Sequence, residues 1–261
     1  MLWGLVLLPA GLLFAAAGVR GADDGLTAAE LALFVHQLLF VYWLGPDIGV
    51  YYLSHRITDT RLSPAQRLAA AQVMSQVDLV PRVCLSLMLT AGGLLTEFIG
   101  IPHPAWQLFG IVLLGPAWLA LVLAVYLKRG TPAGDRLARI DFWFRAVMIV
   151  AVLGSVGQAW TSGRLAETPW VAGKLLLFAA ILLFGLLMRL RVAPLLAGIG
   201  RMAAEGASPE NDRRMAGSLA LTRPYVIAMW ICLLMAAALG VFQPGDRRAP
   251  DVVAASTVAA P

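Results

Sequence analysis

The stretch WQLFGIVLLGPAWLALVLAVYL, Trp106 to Leu127, carries no charged side chain. A hydrocarbon core about 30 Å thick is crossed by roughly 20 apolar residues in a helix, so this stretch reads as a membrane span. Within lipid every backbone N–H and C=O needs a partner inside the protein, which leaves helices or closed barrels. Barrel strands alternate apolar and polar side chains. Residues 106–127 do not alternate, and the helix is the reading that remains.

Outward from this stretch, further apolar runs lie at about 2–19, 31–53, 79–98, 141–160, 169–190 and 222–242. The expected fold is all-α, a polytopic transmembrane helix bundle of about seven spans. The count is six if residues 2–19 are a signal peptide cleaved after Ala15–Ala17, although the basic n-region of such a signal is missing. Residues 1–242 form one transmembrane domain on this reading. The Ala/Pro/Val-rich segment 243–261 follows as a disordered periplasmic tail. Composition agrees: 60% of the 261 residues are hydrophobic and 13% charged, where a soluble domain carries about 25% charged residues. Mean hydropathy is +0.79.

Charge orients the bundle. Only Arg20, Arg164, Lys174, Arg247 and Arg248, five of the 20 Lys and Arg residues, fall on one side. The rest crowd loops 54–80, 128–140 and 189–221 and the adjoining helix starts. Positive residues stay on the cytoplasmic side, so the N-terminus is cytoplasmic and the localisation is a bacterial-type inner membrane. The pI near 9.7 thus reports topology, and a nucleic-acid partner is not expected. Cys84 and Cys232 both lie inside spans, and no CxxC or CxxCH occurs, which excludes a disulfide framework and covalent c-type haem. Ser63-Pro64-Ala65-Gln66 has the pattern of a capping box with proline at the first helical position.

Ionisable groups within spans are costly and mark candidate sites. An outer layer holds His36, Lys174 and Glu97, with His103 in the loop between prolines 102 and 104. Imidazole nitrogen ligates haem iron or copper; the alternative for His36 is a hydrogen bond within the bundle. Lys174 either pairs with a carboxylate or propionate or snorkels outward. An inner layer holds Asp47, His55, Asp78, Arg82, Asp141, Arg145 and Arg223. It forms a pocket for an anion or quinone, or it is a set of mutually neutralising pairs such as Asp78–Arg82 and Asp141–Arg145, each at i, i+4. His36, Phe40, Trp43, Asp47 and Ser54 fall near one line of a helix. Pro46 breaks that helix beside Asp47. His36 and His55 are about 28 Å apart along a straight helix, too far to share one metal.

Residues 34–45, Phe34-Val35-His36-Gln37-Leu38-Leu39-Phe40-Val41-Tyr42-Trp43-Leu44-Gly45, resemble the first core helix of CopD-type copper-resistance membrane proteins and of HemJ-type protoporphyrinogen oxidases, with His followed seven residues later by Trp and then Gly. Tyr51, Tyr52 and His55 stand where the HemJ type has Tyr and His. Thr168-Pro169-Trp170-Val171-Ala172-Gly173-Lys174-Leu175 is similar to the Lys-Leu helix of the same families. Two short motifs carry the likeness over spans 31–53 to 169–190. It implies His36 as axial ligand of haem b or ligand of copper, and Lys174 as its functional partner. The Tyr-Leu-Pro-Arg stretch of the HemJ type is replaced by Pro46-Asp47, and the outer loops hold no Met/His-rich copper-capture sequence.

The leading expectation is a haem-dependent membrane oxidoreductase working on a quinone or porphyrin. Asp47 and Lys174 would be its catalytic residues, with His36, Trp43, Arg82 and Arg145 around the cofactor. Copper passage is the alternative, with His36, Asp47 and His103 as transient ligands; the candidate metal residues are His36, His55 and His103. A non-catalytic subunit of a larger membrane complex, or a homo-oligomer, is the third reading.

Overall fold

A computed structural model describes residues 27–248. The expected first span at 2–19 and residues 249–261 of the tail lie outside the described residues. Seven helices follow one another: α1 (Ala28–Thr58), α2 (Pro64–Val77), α3 (Leu79–Phe98), α4 (Ala105–Leu127), α5 (Pro132–Thr161), α6 (Pro169–Glu205) and α7 (Pro209–Phe242). No strand occurs among the described residues. With α2 and α3 counted together, six helices are long and apolar enough to cross a membrane. The chain is a multi-pass membrane protein in contact with lipid.

The helix ends follow local chemistry. At α2 the expected capping box is present: Ser63 N donates to Gln66 Oε1 (3.0 Å) and Gln66 N to Ser63 Oγ (3.3 Å). Between α2 and α3 the helix breaks at Asp78. Pro81 accounts for the break, because a proline has no N–H for the carbonyl four residues earlier and its ring crowds that carbonyl, here Val77. The segment 192–221, read from the sequence as a loop with helical patches, is a helical hairpin instead. α6 continues to Glu205, Gly206 ends it with φ +87°, and Ser208 caps α7 by accepting from Asn211 N. At 37 residues, α6 is about 55 Å long at 1.5 Å per residue, well beyond the hydrocarbon thickness.

The chain divides into two compact units. Unit one comprises residues 27–54 and 69–141 of the described chain, and unit two residues 55–68 and 142–248. Helices α1, α2 and α5 run from one unit into the other. In unit one, Ala32, Val35, Leu39 and Trp43 form the buried stripe of α1, and Val83, Cys84, Leu87 and Ala91 that of α3. α3 and α4 pack closely. They approach closely at Gly93, where a Cβ would stand 2.6 Å from Ile111 Cγ2, and at Gly115, where one would stand 2.7 Å from Thr90 Oγ1. Thr90 uses that space to donate to Ile111 O (2.6 Å) while accepting from Gly115 N (2.9 Å). Its hydroxyl thus enters the α4 backbone ladder next to Pro116, a recognised way of satisfying a disturbed helix.

Unit two uses the same device. α6 and α7 pack along their length, and Ser218 donates to Arg191 O (2.7 Å) while accepting from Leu195 N (3.3 Å), beside Pro194. Gly198 admits the Met215 side chain, and Asn211 Nδ2 donates to Gly198 O at 2.9 Å. Gln243–Arg248, the start of the expected tail, fold back on the loop before α6: Arg247 N donates to Glu167 O (2.9 Å) and Trp170 Nε1 to Asp246 Oδ2 (3.1 Å). Trp106 and Trp160 are exposed at the ends of their helices, as an aromatic belt requires, whereas Trp170 is buried.

Candidate functional site

Charged side chains of α1, the α2–α3 break, α3 and α5, with Trp118 of α4, gather in unit one. Asp47 follows Pro46, where α1 loses its hydrogen bond to Tyr42 O. Asp78 occupies the α2–α3 break and forms an i, i+4 ion pair with Arg82 of α3. Asp141 of α5 and Asp47 of α1 also act electrostatically on the Arg82 guanidinium. From α4, Trp118 Nε1 donates to Asp141 Oδ1 at 3.1 Å. Both partners of that bond are sealed, each 1% exposed. Arg145, also buried, lies one turn further along α5. Charges near 4 Å interact by about 1 kcal/mol in water and about four times that at an effective dielectric of 20, so a change of protonation at one member is felt by the others. One of the three carboxylates, Asp78, stands at a break between helices, and Asp47 lies within the continuous α1. Within a membrane, irregular backbone is tolerated where protein buries it or a water-filled cavity adjoins it.

His36 and Trp43 belong to unit one as well. The half-buried His36 ring lies against α3 at Gly92, where a Cβ would be 3.2 Å from its Cε1. Trp43 is buried in the core between them along α1. His103 is drawn in from its loop: its Nδ1 pairs with Glu97 Oε1 at 2.5 Å, and its backbone N donates to the same oxygen at 2.7 Å. His55 is exposed at the end of α1, within unit two. Among the described residues no three His, Cys, Asp or Glu side chains converge where they could hold a metal ion.

Lys174, in unit two, is placed by packing. Its Nζ lies 5.7 Å from the centre of the Trp170 ring, within cation–π reach, and against Gly240, where a Cβ would be 2.7 Å away. Gly240 is in the last turn of α7, where carbonyls without helical partners favour a cation. Arg67, which the sequence offers only as a loop charge, is 1% exposed. Its Nε donates to Ile57 O and its guanidinium pairs with Asp212 Oδ1, both at 2.6 Å. A buried arginine with a paired acid is needed where an unpaired charge would cost several kcal/mol.

The sequence-derived candidates thus separate. His36, Trp43, Asp47 and Arg82 share unit one, while Lys174, His55 and Arg145 belong to unit two. Trp118 and Arg67 were not legible as site residues. Comparison with protein-family models, with curated proteins and with solved structures finds no match for the chain.

Proposed function

We propose that the protein is a membrane redox protein that couples electron transfer to proton movement, acting on a quinone or a porphyrin. The supporting observation is that His36 and the Asp47–Asp78–Arg82–Asp141 cluster occupy one compact unit. His36 and Asp47 share one helix, about 16 Å apart along its axis. The residues fit a b-type haem to this extent: His36 is an imidazole donor inside a span, its half-buried ring seated against Gly92 of α3. Haem bound there would supply one-electron chemistry. Arg82 would hold a substrate carbonyl or carboxylate by charge-assisted hydrogen bonds, and Asp47 would give or take the proton that balances the electron.

An optical spectrum of the detergent-purified protein, oxidised and dithionite-reduced, tests this reading alongside metal analysis of the same sample. A reducible b-type spectrum that disappears in His36→Ala is the expected result. An unchanged haem spectrum in His36→Ala removes His36 from the role. Stoichiometric copper without haem would replace the reading by copper passage. A colourless, metal-free sample, unaltered when haem is supplied during expression, would replace it by a non-catalytic membrane subunit.

A further inference from the structure

We infer that the cleft between α6 and α7 at Lys174 is a phospholipid site, in which the Lys174 ammonium holds the phosphate of a lipid headgroup at the membrane surface where α6 begins and α7 ends.

Lys174 is half-buried in unit two, and among the described residues its amine has neither an acid within ion-pair distance nor a hydrogen-bond acceptor. Asp246, hydrogen-bonded to the same Trp170 indole that Lys174 overlies, is taken by Arg248. An ionisable side chain kept within a span without an internal partner calls for one from outside the chain. The cleft is shaped to place it. Gly173 of α6 admits Leu239 of α7: a Cβ there would stand 2.9 Å from Leu239 Cδ1. Gly240 of α7 admits Lys174 in turn, where a Cβ would stand 2.7 Å from Nζ. Helical side chains lean toward the N-terminus of their helix. Lys174, about 7.5 Å along α6 from Pro169, therefore returns its ammonium to the level of the first turn, 5.7 Å from the centre of the Trp170 ring. Tryptophan and the charged heads of long side chains sit at that level in a membrane, beside the lipid headgroups. Val241 and Phe242, next along α7, are exposed and offer acyl chains an apolar surface. An ammonium has three donors and no acceptor, and a phosphate takes strong charge-assisted hydrogen bonds from it. A carboxylate dissolved in water would have to leave water to reach this amine, whereas headgroup phosphates already line that level.

Lipid capture needs no haem, so its test stands apart from the redox reading. Native mass spectrometry of the delipidated protein, titrated with dioleoylphosphatidylglycerol, would read the occupancy of a single tightly held lipid. Binding is expected to weaken about tenfold or more in Lys174→Met and to stay close to the original in Lys174→Arg. Dioleoylglycerol, which lacks the phosphate, should bind poorly to every form. Gly240→Ala keeps the lysine but displaces its ammonium, and should weaken phosphatidylglycerol binding as well. Shielding of the buried Cys232 from a maleimide dye shows which variants are folded, and should Lys174→Met unfold, Gly240→Ala decides in its place. Full affinity in the folded variant, or displacement of the lipid by millimolar inorganic phosphate, would overturn the inference.

Discussion

Unit one gathers acidic side chains from α1, the α2–α3 break and α5 around Arg82, whereas unit two pairs charges at the two ends of its α6–α7 hairpin. In unit one, Asp47, Arg82 and Asp141 face one another within the spans. In unit two, Arg67–Asp212 ties the end where α7 begins and Trp170–Asp246–Arg248 the end where it finishes. Phe178, Ile181, Leu182 and Leu186 fill the stretch of α6 between them. Charge at a helix end lies near water and serves assembly at modest cost. Charge at membrane depth costs more; under the proposed function unit one is the working part and unit two the scaffold.

The largest effect expected from this contrast is on the scaffold. Arg67→Ala strands the Asp212 carboxylate and the Ile57 carbonyl, and removal of one partner of a buried pair costs about 3–5 kcal/mol. Thermal exposure of the buried Cys232 thiol, followed with a maleimide dye, would read the loss. A paired replacement, Arg67→Met with Asp212→Leu, should recover most of it. If Arg67→Ala left stability unchanged while Asp47→Asn unfolded the protein, the roles of the two units would be reversed.

The sequence revealed much of this arrangement, but unevenly. The centres of the described spans all fall within helices, because uninterrupted apolar composition has no other solution in lipid. Helix ends were less visible. Hydropathy falls where a helix leaves the membrane, not where it stops, so α6 and α7 run on through 192–221 and turn only at Gly206–Ser208. Asp47, Arg82 and His36 stood out because a polar group in a span is conspicuous. Arg67 did not, since its acid partner is 145 residues away. Trp118 looked like any other aromatic of an apolar run until α5 placed Asp141 beside it.

Next in size is the glycine that lets α3 and α4 meet. In Gly115→Ala the new methyl would press on Thr90 at 2.7–3.0 Å, and such overpacking costs about 1–3 kcal/mol. Thr90→Ala added to Gly115→Ala should relieve part of that strain. Lack of any rescue would place the damage outside this contact.

The hydroxyl insertions let the units be compared on equal terms. Thr90→Val in unit one and Ser218→Ala in unit two each delete a hydroxyl that bridges a backbone N–H and the carbonyl four residues earlier. The two backbone groups can close on each other afterwards, so about 1 kcal/mol is expected for each. Similar losses would make the device purely structural in both units. A Thr90→Val variant of normal stability but altered optical spectrum would instead connect it to the site proposed in unit one.

The smallest effect concerns pH at the outer end of unit two. Hydrogen bonding from Arg248 holds the Asp246 carboxyl at about 2, below its ordinary 3.8, with the Trp170 indole adding to the same direction. A carboxyl depressed in the folded state contributes stability that is complete above its unfolded value and fades as pH falls through the folded one. The strap should therefore be indifferent to pH from neutrality down to about 4, and loosen between about 4 and 2. The indole N–H resonance of Trp170, assigned by its loss in Trp170→Phe, should keep its position over the upper range and move only below it. In Arg248→Gln the movement should begin at higher pH, since the largest cause of the depression is gone. Movement near neutrality in the unaltered protein would mean that Asp246 is not held by Arg248, and that unit two is less firmly closed at its outer end than at its Arg67 end.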